Sequence, residues 1–307
     1  MKEIYVNLKR FEVSRSEGGL CPLADPVEWI TNTIRETVEM GIDAIEGVQV
    51  RYFLPEALLT PGLAALKAAG ARESFTLGVQ SVYRQDVAQN QNFGAFTSNR
   101  PAKAIKALGC RATLIGHSEE RRDKLDMLAR YDESILTDAS AYQRAAQAVE
   151  GLLHEEAACA LEQGMDIVYC IGETEQQKGG NDPAVYEPRV KEVIRSQIAG
   201  GLKGFEKLQG NCSITLGYEP IWAIGPGKTP PGAEYIGFVS AWAKACCKEV
   251  LGYELPVVYG GGLKEENARE IASVSTIDGG LIALTKFTPP IAFDVKSLKQ
   301  IILEYVK

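Results

Sequence analysis

Short apolar runs alternate along the chain with longer segments in which apolar residues recur every three or four positions. Runs of the first kind are typical of buried parallel strands, and segments of the second kind are typical of helices packed on a sheet. The short runs predict eight strands, over Glu3–Leu8, Asp43–Val50, Phe75–Val79, Ala112–Ile115, Asp166–Ile171, Ser213–Leu216, Pro256–Tyr259 and Ile277–Ile282. The longer segments predict helices over 25–40, 61–69, 101–108, 141–161, 183–198, 233–251, 264–273 and 293–306, and the segment 125–137 fits neither pattern.

This regular alternation predicts an α/β fold in which residues 1–307 form one domain, a single (β/α)8 barrel. A doubly wound sheet is the competing architecture, and it would place a glycine-rich nucleotide-binding turn after the first strand. The turn that follows this strand, Asn7-Leu8-Lys9, contains no glycine. Polar and glycine-rich clusters instead follow several strands, which favours a barrel, because its active site gathers at the carboxyl ends of the strands.

Composition narrows the classes of function. The chain is 45% hydrophobic and 24% charged, with a net charge of -7 and no basic cluster, so we expect no nucleic-acid partner. The segment 1–5 leads straight into the first predicted strand, and no apolar run approaches membrane-spanning length, so we expect neither a signal peptide nor a membrane partner. Seven scattered cysteines without C-x-x-C spacing suit reduced thiols and predict a cytoplasmic location. With only two histidines, His117 and His154, we expect no multi-histidine metal site.

Four predicted strand ends carry groups suited to proton transfer. They are Asn7 with Lys9, His117 with Glu119, Glu219, and the glycines at 260–262. A carboxylate base, an imidazole, an ammonium and free backbone amides are the set needed to remove a proton beside a carbonyl and to stabilise the enediolate that forms. Each residue alone also has an ordinary interpretation, such as a solvated lysine or a hydrogen-bonded structural histidine. Their shared position at strand ends favours the interpretation that they take part in proton transfer.

The segment 217–228 has the pattern of a lid. Glu219 follows an apolar strand, and Pro220 fixes the backbone directly after it. An apolar tip, 222–224, lies between Pro220 and the stiff Gly225-Pro226-Gly227 sequence. A loop with stiff ends and a water-excluding centre is what closure over a reacting group requires.

These residues together resemble the triosephosphate isomerase family. The resemblance spans nearly the whole chain, and its motifs occur in the family's order: Asn7-Leu8-Lys9, 94–97, 115–119, 170–173, 218–228 and 259–261. It implies a TIM barrel and an aldose–ketose isomerase that interconverts dihydroxyacetone phosphate and glyceraldehyde 3-phosphate through an enediolate. This reaction belongs to glycolysis and gluconeogenesis, and we expect no cofactor and no metal.

The resemblance also implies a role for each matched residue. Glu219 would be the general base, His117 the neutral imidazole that moves protons between substrate oxygens, and Lys9 the electrostatic partner. Asn7 would orient the substrate. The resemblance implies four supporting residues around the base: Glu119, Ser118, Ile224 and Leu281. The substrate, chiefly its phosphate, would be bound by Gly225, Gly261, Gly262, Ala283 and Leu284. Thr97 would lie at the tip of a loop that enters the other subunit of a homodimer.

The chain departs from the family mainly at the distal phosphate site. Gly262 stands where the family has serine, and Ala283-Leu284 stand where it has two glycines, whose backbone amides cradle the phosphate. Because a Cβ atom restricts close approach, an alternative function is isomerisation of a longer sugar phosphate, such as a tetrulose phosphate. Lys286 could then supply a replacement cation, although an ordinary solvated lysine is the favoured interpretation of this residue. A second alternative is a non-catalytic sugar-phosphate-binding barrel.

Two further departures lie elsewhere. Glu120 follows Glu119, where it either displaces the first of the family's two arginines or is inserted before the pair. The chain is also longer than the family pattern, and we expect enlarged loops near 14–23, 87–92 and 123–139.

Overall fold

The computed structural model describes residues 1–208, 212–225, 227–286 and 290–307, and its strands form one closed parallel barrel. Each strand pairs with the next along the chain, and the last pairs with the first. The strands are β1 (Lys2–Asn7), β2 (Val48–Leu54), β3 (Phe75–Val79), β4 (Ala112–Ile115), β5 (Asp166–Ile171), β6 (Ile214–Tyr218), β7 (Val257–Tyr259) and β8 (Gly279–Ile282). The predicted (β/α)8 barrel is confirmed.

Helices follow each of the strands. They are α1 (Pro26–Glu39), α2 (Glu56–Ala68), α3 (Ala102–Ala107), α4 (Ser118–Tyr131), α5 (Ala139–Glu162), α6 (Glu175–Lys178), α7 (Pro183–Leu202), α8 (Ala233–Leu251), α9 (Glu265–Ala272) and α10 (Val295–Val306). Among the described residues, none of these helices combines the length and the apolar character needed to cross a lipid bilayer.

Alternating side chains divide the core into two parts. On β1, Ile4 and Val6 are buried in the large cluster that the barrel shares with the surrounding helices, whereas Tyr5 points into the barrel. This alternation follows from the two-residue period of a strand. The interior layer is formed by Tyr5, Phe53, Ala112, Leu114, Val168, Cys170, Val258 and Leu281.

Polar cross-links join opposite sides of the barrel at the amino-terminal end of the strands. The Glu3 carboxylate accepts hydrogen bonds from the hydroxyls of Tyr5 (2.7 Å) and Thr215 (3.0 Å). The Arg51 guanidinium contacts the Asp166 carboxylate at 2.8 Å. Because these buried groups satisfy one another, this end of the interior is occupied, and the opposite end is left for the site.

The second strand was predicted in the wrong place. The sequence pattern indicated Asp43–Val50, but residues 42–44 form a 3₁₀ turn and the strand covers Val48–Leu54. The Asp43 side chain accepts a hydrogen bond from the backbone N–H of Arg72 (3.1 Å), and its carbonyl accepts one from the hydroxyl of Ser74. These contacts come from the loop before β3, and they hold Asp43 outside the barrel.

Several helix bounds also differ from the predictions. Helix α2 begins at Glu56 and contains Pro61, which was predicted to start it. The segment 125–137 is helical: α4 continues to Tyr131, and a 3₁₀ turn covers 133–136. Helix α4 shows little apolar periodicity because it buries only Ala129, so the hydrophobic pattern did not reveal it. The short helix α6 was not predicted.

A charged cluster joins α4 to α5 beside the barrel. The Lys124 ammonium lies 2.7 Å from the carboxylate of Glu120 and 3.0 Å from that of Glu156. Glu156 is 5% exposed, and its second carboxyl oxygen has no hydrogen-bond partner among the described residues. Burial and the neighbouring Glu120 carboxylate raise the pKa of Glu156 despite Lys124. Burial opposes ionisation of Glu120 too, but Lys124 outweighs it and lowers its pKa. Lys124 therefore forms ion pairs with the carboxyl groups of both Glu120 and Glu156. Of these two groups, Glu156 keeps its proton to higher pH.

The raised pKa of Glu156 predicts a pH-dependent stability difference. A carboxyl group whose pKa is higher in the folded chain stabilises the fold below its unfolded pKa, and this contribution is lost as the pH rises through the folded value. We therefore expect Glu156→Gln, which cannot ionise, to gain stability relative to the native chain by on the order of 1–2 kcal/mol between pH 5 and pH 8. Denaturant unfolding at several pH values measures this difference.

The neighbouring Glu155 provides the matched control. Its side chain is 54% exposed and lies 3.7 Å from Arg84, so Glu155→Gln should show little pH-dependent change over the same range. A stability difference between the native chain and Glu156→Gln that stays constant from pH 5 to pH 8 would contradict the assignment.

Candidate active site

The carboxyl ends of the strands bring the predicted proton-transfer residues together. Asn7 ends β1, His117 lies between β4 and the start of α4, and Glu219 directly follows β6. The side chain of Glu219 contacts that of His117, and Lys9 reaches the same rim through Glu119. Three loops that are far apart in sequence therefore meet in one site.

Glu219 and His117 are in direct contact. One carboxylate oxygen of Glu219 lies 3.0 Å from Nε2 of His117, and the other accepts a hydrogen bond from the backbone N–H of Ser118 at 3.1 Å. The Nδ1 atom of His117 accepts a hydrogen bond from the backbone N–H of Glu119 at 3.3 Å. Because Nδ1 is an acceptor, the imidazole proton lies on Nε2, where it is donated to Glu219.

Burial and the contact with Glu219 have opposite effects on the pKa of His117. Burial opposes protonation, but the ionised Glu219 outweighs it and raises the pKa of the imidazole above its ordinary value. A proton on Nδ1 would nevertheless face the N–H of Glu119, so protonation costs one hydrogen bond. The raised pKa of His117 depends mainly on contact with Glu219. A group that separates the two side chains would therefore remove the main reason for this increase.

Glu219 can approach the end of β4 because glycines directly follow two neighbouring strands, β5 and β7. A Cβ atom on Gly172, after β5, would lie 1.8 Å from the carbonyl oxygen of Glu219. A Cβ atom on Gly260, after β7, would lie 3.1 Å from Cγ of Glu219. Glu219 is only 4% exposed, so these two positions leave no room for side chains.

The Lys9 turn is held in a strained backbone conformation. Lys9 has a φ of 31°, which is unusual for a residue other than glycine. Asn7 accepts a hydrogen bond from the backbone N–H of Lys9 (3.1 Å), and the side-chain amide of Gln80 donates to Asn7 (3.0 Å) and to the carbonyl of Lys9 (2.8 Å). Sequence analysis missed Gln80, although it directly follows β3 as the other candidates follow their strands.

Glu119 lies beside the Lys9 ammonium, at 3.1 Å. Burial opposes ionisation of Glu119, but Lys9 outweighs it and keeps the pKa of the carboxyl below its ordinary value. Glu119 therefore stays ionised at neutral pH and orients the Lys9 ammonium at the rim.

A second residue missed by the sequence analysis, Arg121, braces two strand ends. Its buried guanidinium donates to the carbonyls of Gly116 and Cys170, each at 2.7 Å, and forms an ion pair with Glu150. These carbonyls belong to the ends of β4 and β5, so Arg121 supports the position of His117. The sequence at 119–121 lies where the family has two arginines, so an arginine near the site could be expected. Only the structure shows that Arg121 is the one that points inward. The preceding Glu120 accepts a hydrogen bond from the backbone N–H of Gly116 at 2.7 Å.

The predicted lid begins with a short 3₁₀ turn, 221–223, directly after Pro220. The indole N–H of Trp222 donates to the fully buried Glu173 at 2.7 Å. Ile224, the expected clamp, is 38% exposed in this conformation. Pro226 lies outside the described residues. The lid is thus anchored through Trp222, Ala223 is buried, and Ile224 faces outward.

Leu281 lies beneath the site. Its side chain belongs to the interior layer of the barrel and would come within 3.5 Å of a Cβ atom on Gly260, next to Glu219. The structure therefore places Leu281, unlike Ile224, at the apolar floor near the base.

The expected phosphate-binding positions follow three adjacent strands. Gly225 lies after β6, Gly261 and Gly262 after β7, and Ala283 with Leu284 after β8. The carbonyls of Gly261 and Gly262 accept hydrogen bonds from Tyr259 (2.9 Å) and Asn267 (3.1 Å), which fixes this turn. Lys286 lies 3.4 Å from the carboxylate of Asp294, so its charge is partly compensated.

Thr97 is exposed in the long loop between β3 and α3. A cavity of about 490 Å³ lies between the start of this loop and α4. Its lining includes Lys9, His117, Met127 and the buried Glu156. The active-site residues thus form one side of a larger opening.

Comparisons with known proteins point to one family. The sequence model of the triosephosphate isomerase family matches residues 48–291. The triosephosphate isomerase of Pelodictyon phaeoclathratiforme is 30% identical over 259 residues, which cover 82% of this chain and 88% of that protein. The triosephosphate isomerase of Alkalilimnicola ehrlichii is 32% identical over 237 residues, covering 75% and 78%.

A solved structure supports the fold. The crystal structure of triosephosphate isomerase from Bartonella henselae superposes with a TM-score of 0.66 at 20% identity, covering 100% of this chain and 99% of that one. The family model and the sequence matches show that the chain belongs to the triosephosphate isomerase family.

Proposed function

We propose that this protein is an aldose–ketose isomerase that interconverts dihydroxyacetone phosphate and glyceraldehyde 3-phosphate through an enediolate. The observation that carries the proposal is the 3.0 Å contact between Glu219 and Nε2 of His117, beside the Lys9–Glu119 pair. A base, a hydrogen-bond donor and a cation thus lie on one rim. Membership of the family supports the same reaction.

The proposed reaction begins when the substrate enters between Glu219 and His117. Glu219 removes a proton from C1 of dihydroxyacetone phosphate, and the C–H electron pair forms the C1–C2 double bond while the carbonyl oxygen gains negative charge. Lys9 and the Nε2–H group of His117 stabilise that oxygen. His117 then donates its proton to O2 and takes the O1 proton, and Glu219 returns its proton to C2, which gives the aldehyde.

The lid would exclude water during these transfers. Because Ile224 is 38% exposed here, it reaches the base only after the segment 220–228 moves inward. With Leu281 below and Ile224 above, Glu219 would act in apolar surroundings, where its attraction to the substrate proton is stronger.

The distal phosphate would bind to backbone amides after β6, β7 and β8. Gly225, Gly262, Ala283 and Leu284 occupy the matching positions, and Asn7 would orient the substrate at the other side. The side chains of Ala283 and Leu284 favour a second candidate substrate, a longer sugar phosphate such as a tetrulose phosphate, because a Cβ atom there shifts the anion outward.

A homodimer would complete the site. The loop that carries Thr97 would enter the 490 Å³ cavity of a second copy, where Lys9 and His117 form part of the wall. The exposed loop tip at Thr97 and this open cavity beside Lys9 and His117 support the proposal.

We further propose that residues 1–307 act as one domain in the cytoplasm, with enlarged loops near 14–23 and 87–92. The third expected enlargement, near 123–139, is not a loop but lies in α4 and the 3₁₀ turn that follows it. Cys21, Cys110, Cys159, Cys170, Cys246 and Cys247 are free thiols, and five of these six are buried, which supports a reducing compartment.

Replacing the base tests the mechanism. Glu219→Gln keeps the shape of the side chain but removes its basicity, so we expect kcat to fall by on the order of 10² to 10⁴. Proton NMR of dihydroxyacetone phosphate in D₂O detects the exchange of the C1 proton even where net isomerisation is slow. Glu254→Gln, at an exposed position, is the control. Full exchange by a folded Glu219→Gln variant would refute the assignment of the base, and no exchange by the native chain would favour the tetrulose phosphates.

The phosphate site is tested with glycines at 283 and 284. If the side chains there hinder the phosphate of a triose, the double variant Ala283→Gly/Leu284→Gly should lower KM for dihydroxyacetone phosphate several-fold with little change in kcat. The double variant Ile291→Gly/Ala292→Gly, in the same loop, controls for added flexibility. An unchanged or higher KM in the first variant alone would show that these side chains do not restrict the phosphate.

The dimer is tested at Thr97. Thr97→Arg places a bulky charged group at the tip of the loop, so we expect sedimentation velocity to show monomers and kcat/KM to fall roughly tenfold or more, since the rim around Lys9 loses its support. Thr60→Arg, exposed on α2, should leave both measurements unchanged. A Thr97→Arg protein that stays dimeric and active would rule out this loop as the contact.

A further inference from the structure

A lysine is buried at the base of the lid. Lys178 ends α6 and is only 3% exposed. Its ammonium lies 4.0 Å from the centre of the Trp222 ring, and Tyr235 and Tyr186 lie 5.7 and 5.8 Å away. Neither the charge pattern nor the family resemblance drew attention to this residue.

The aromatic rings compensate the buried charge. Removing an ammonium group from water costs free energy unless the protein replaces its solvation. Asn181 accepts one hydrogen bond from the Lys178 ammonium at 2.6 Å, and the ring faces supply the negative side of their quadrupoles. Tryptophan has the strongest such face, and it is the nearest of the three.

Trp222 is held at its edge as well as its face. Its indole N–H donates to Glu173 at 2.7 Å, and the same carboxylate oxygen accepts hydrogen bonds from the hydroxyls of Tyr235 (2.8 Å) and Tyr218 (3.1 Å). The rings of Trp222 and Tyr235 pack edge to face, 5.5 Å apart. The segment after β5 thus supplies a carboxylate at the edge of the indole and an ammonium over its face.

The segment that carries Lys178 is itself well fixed. Thr174 and Gln177 form a capping box, and the backbone N–H of Lys178 donates to the carbonyl of Thr174 at 2.9 Å. Trp222, by contrast, lies in the 221–223 turn, directly before the exposed Ile224. An inward movement of Ile224 therefore displaces the indole relative to a fixed ammonium.

We infer that Lys178 is a positioning residue for the lid: its ammonium holds Trp222 in the outward conformation and thereby sets the equilibrium between lid opening and closure. The inference rests on the proposed function, because it concerns the lid of that same site. Lys178 acts through Trp222 and is not expected to touch substrate.

The first test replaces the ammonium with an apolar group of similar length. In Lys178→Met, the outward conformation loses its cation–π contact, so closure should become about fivefold to thirtyfold more favourable. Because the lid must open before product leaves, kcat and KM should fall together while kcat/KM changes by less than about threefold. Lys178→Arg keeps the charge and stacks on aromatic faces, so it should restore both constants.

Lys191 offers a matched control. Its ammonium lies 5.3 Å from Phe238 and 5.6 Å from Trp242 rather than over the Trp222 ring. Lys191→Met therefore removes a cation of the same kind and should leave kcat and KM unchanged.

A second readout does not require turnover. The chain has three tryptophans, so ¹⁵N-labelled protein gives three indole signals, and Trp222→Phe identifies the one from the lid. Without substrate, Lys178→Met should shift and broaden the Trp222 signal, whereas Lys191→Met should affect only that of Trp242. A native chain that does not turn over dihydroxyacetone phosphate would refute the proposed function, and the Trp222 signal would still decide whether Lys178 holds the indole.

Three results would overturn the inference. The first is a folded Lys178→Met variant whose Trp222 signal is unmoved. The second is a moved signal in an active enzyme whose kcat and KM are unchanged. The third is equal loss of activity and thermal stability in Lys178→Met and Lys178→Arg, which would show a role in folding alone.

Discussion

Glu219 fits beside His117 because the residues that directly follow the two neighbouring strands are glycines. Gly172 and Gly260 flank Glu219, and a Cβ atom on either would collide with it or press against it. The carboxylate can therefore lean across the end of β5 to the imidazole after β4. Chemistry at this rim depends on that close approach, since proton transfer requires hydrogen-bond distances between the groups that exchange protons.

The charges around this contact are arranged in pairs. Glu119 accompanies Lys9, and Arg121 is paired with Glu150 while it holds the ends of β4 and β5. A buried ion without a partner would be costly, so Glu150 lets the charge of Arg121 stay near the site at a tolerable free energy, whereas the Lys9–Glu119 pair is partly exposed to solvent. Glu219 and His117 differ from these pairs: they contact each other here, and the proposed mechanism places substrate between them.

Rigid and movable parts of the site come from different kinds of segment. The base, the imidazole and the cation follow strands of a closed barrel, whose backbone has no free edge. The lid is a loop, and its first turn rests on Glu173 and Lys178 rather than on the barrel interior. This division keeps the proposed reacting groups at fixed positions, whereas Ile224 in the lid is free to move.

The order of short and long apolar segments determined the barrel, and it placed Lys9, His117 and Glu219 at strand ends. Local chemistry suffices for such predictions, because a buried strand is recognisable from a few neighbouring residues. It failed where distant residues decide the outcome. Asp43 is drawn out of β2 by Arg72 and Ser74, and α4 forms although only Ala129 along it is buried.

The contacts of Gln80, Arg121, Glu173 and Lys178 were likewise decided by the tertiary structure alone. Trp222 lies 49 residues from Glu173 in the sequence, and no local pattern joins them. A side chain's partners depend on which loops the closed barrel brings to the same rim. That closure is a property of the whole chain, and for this reason the sequence determined the positions of the reacting groups but not the residues that hold them.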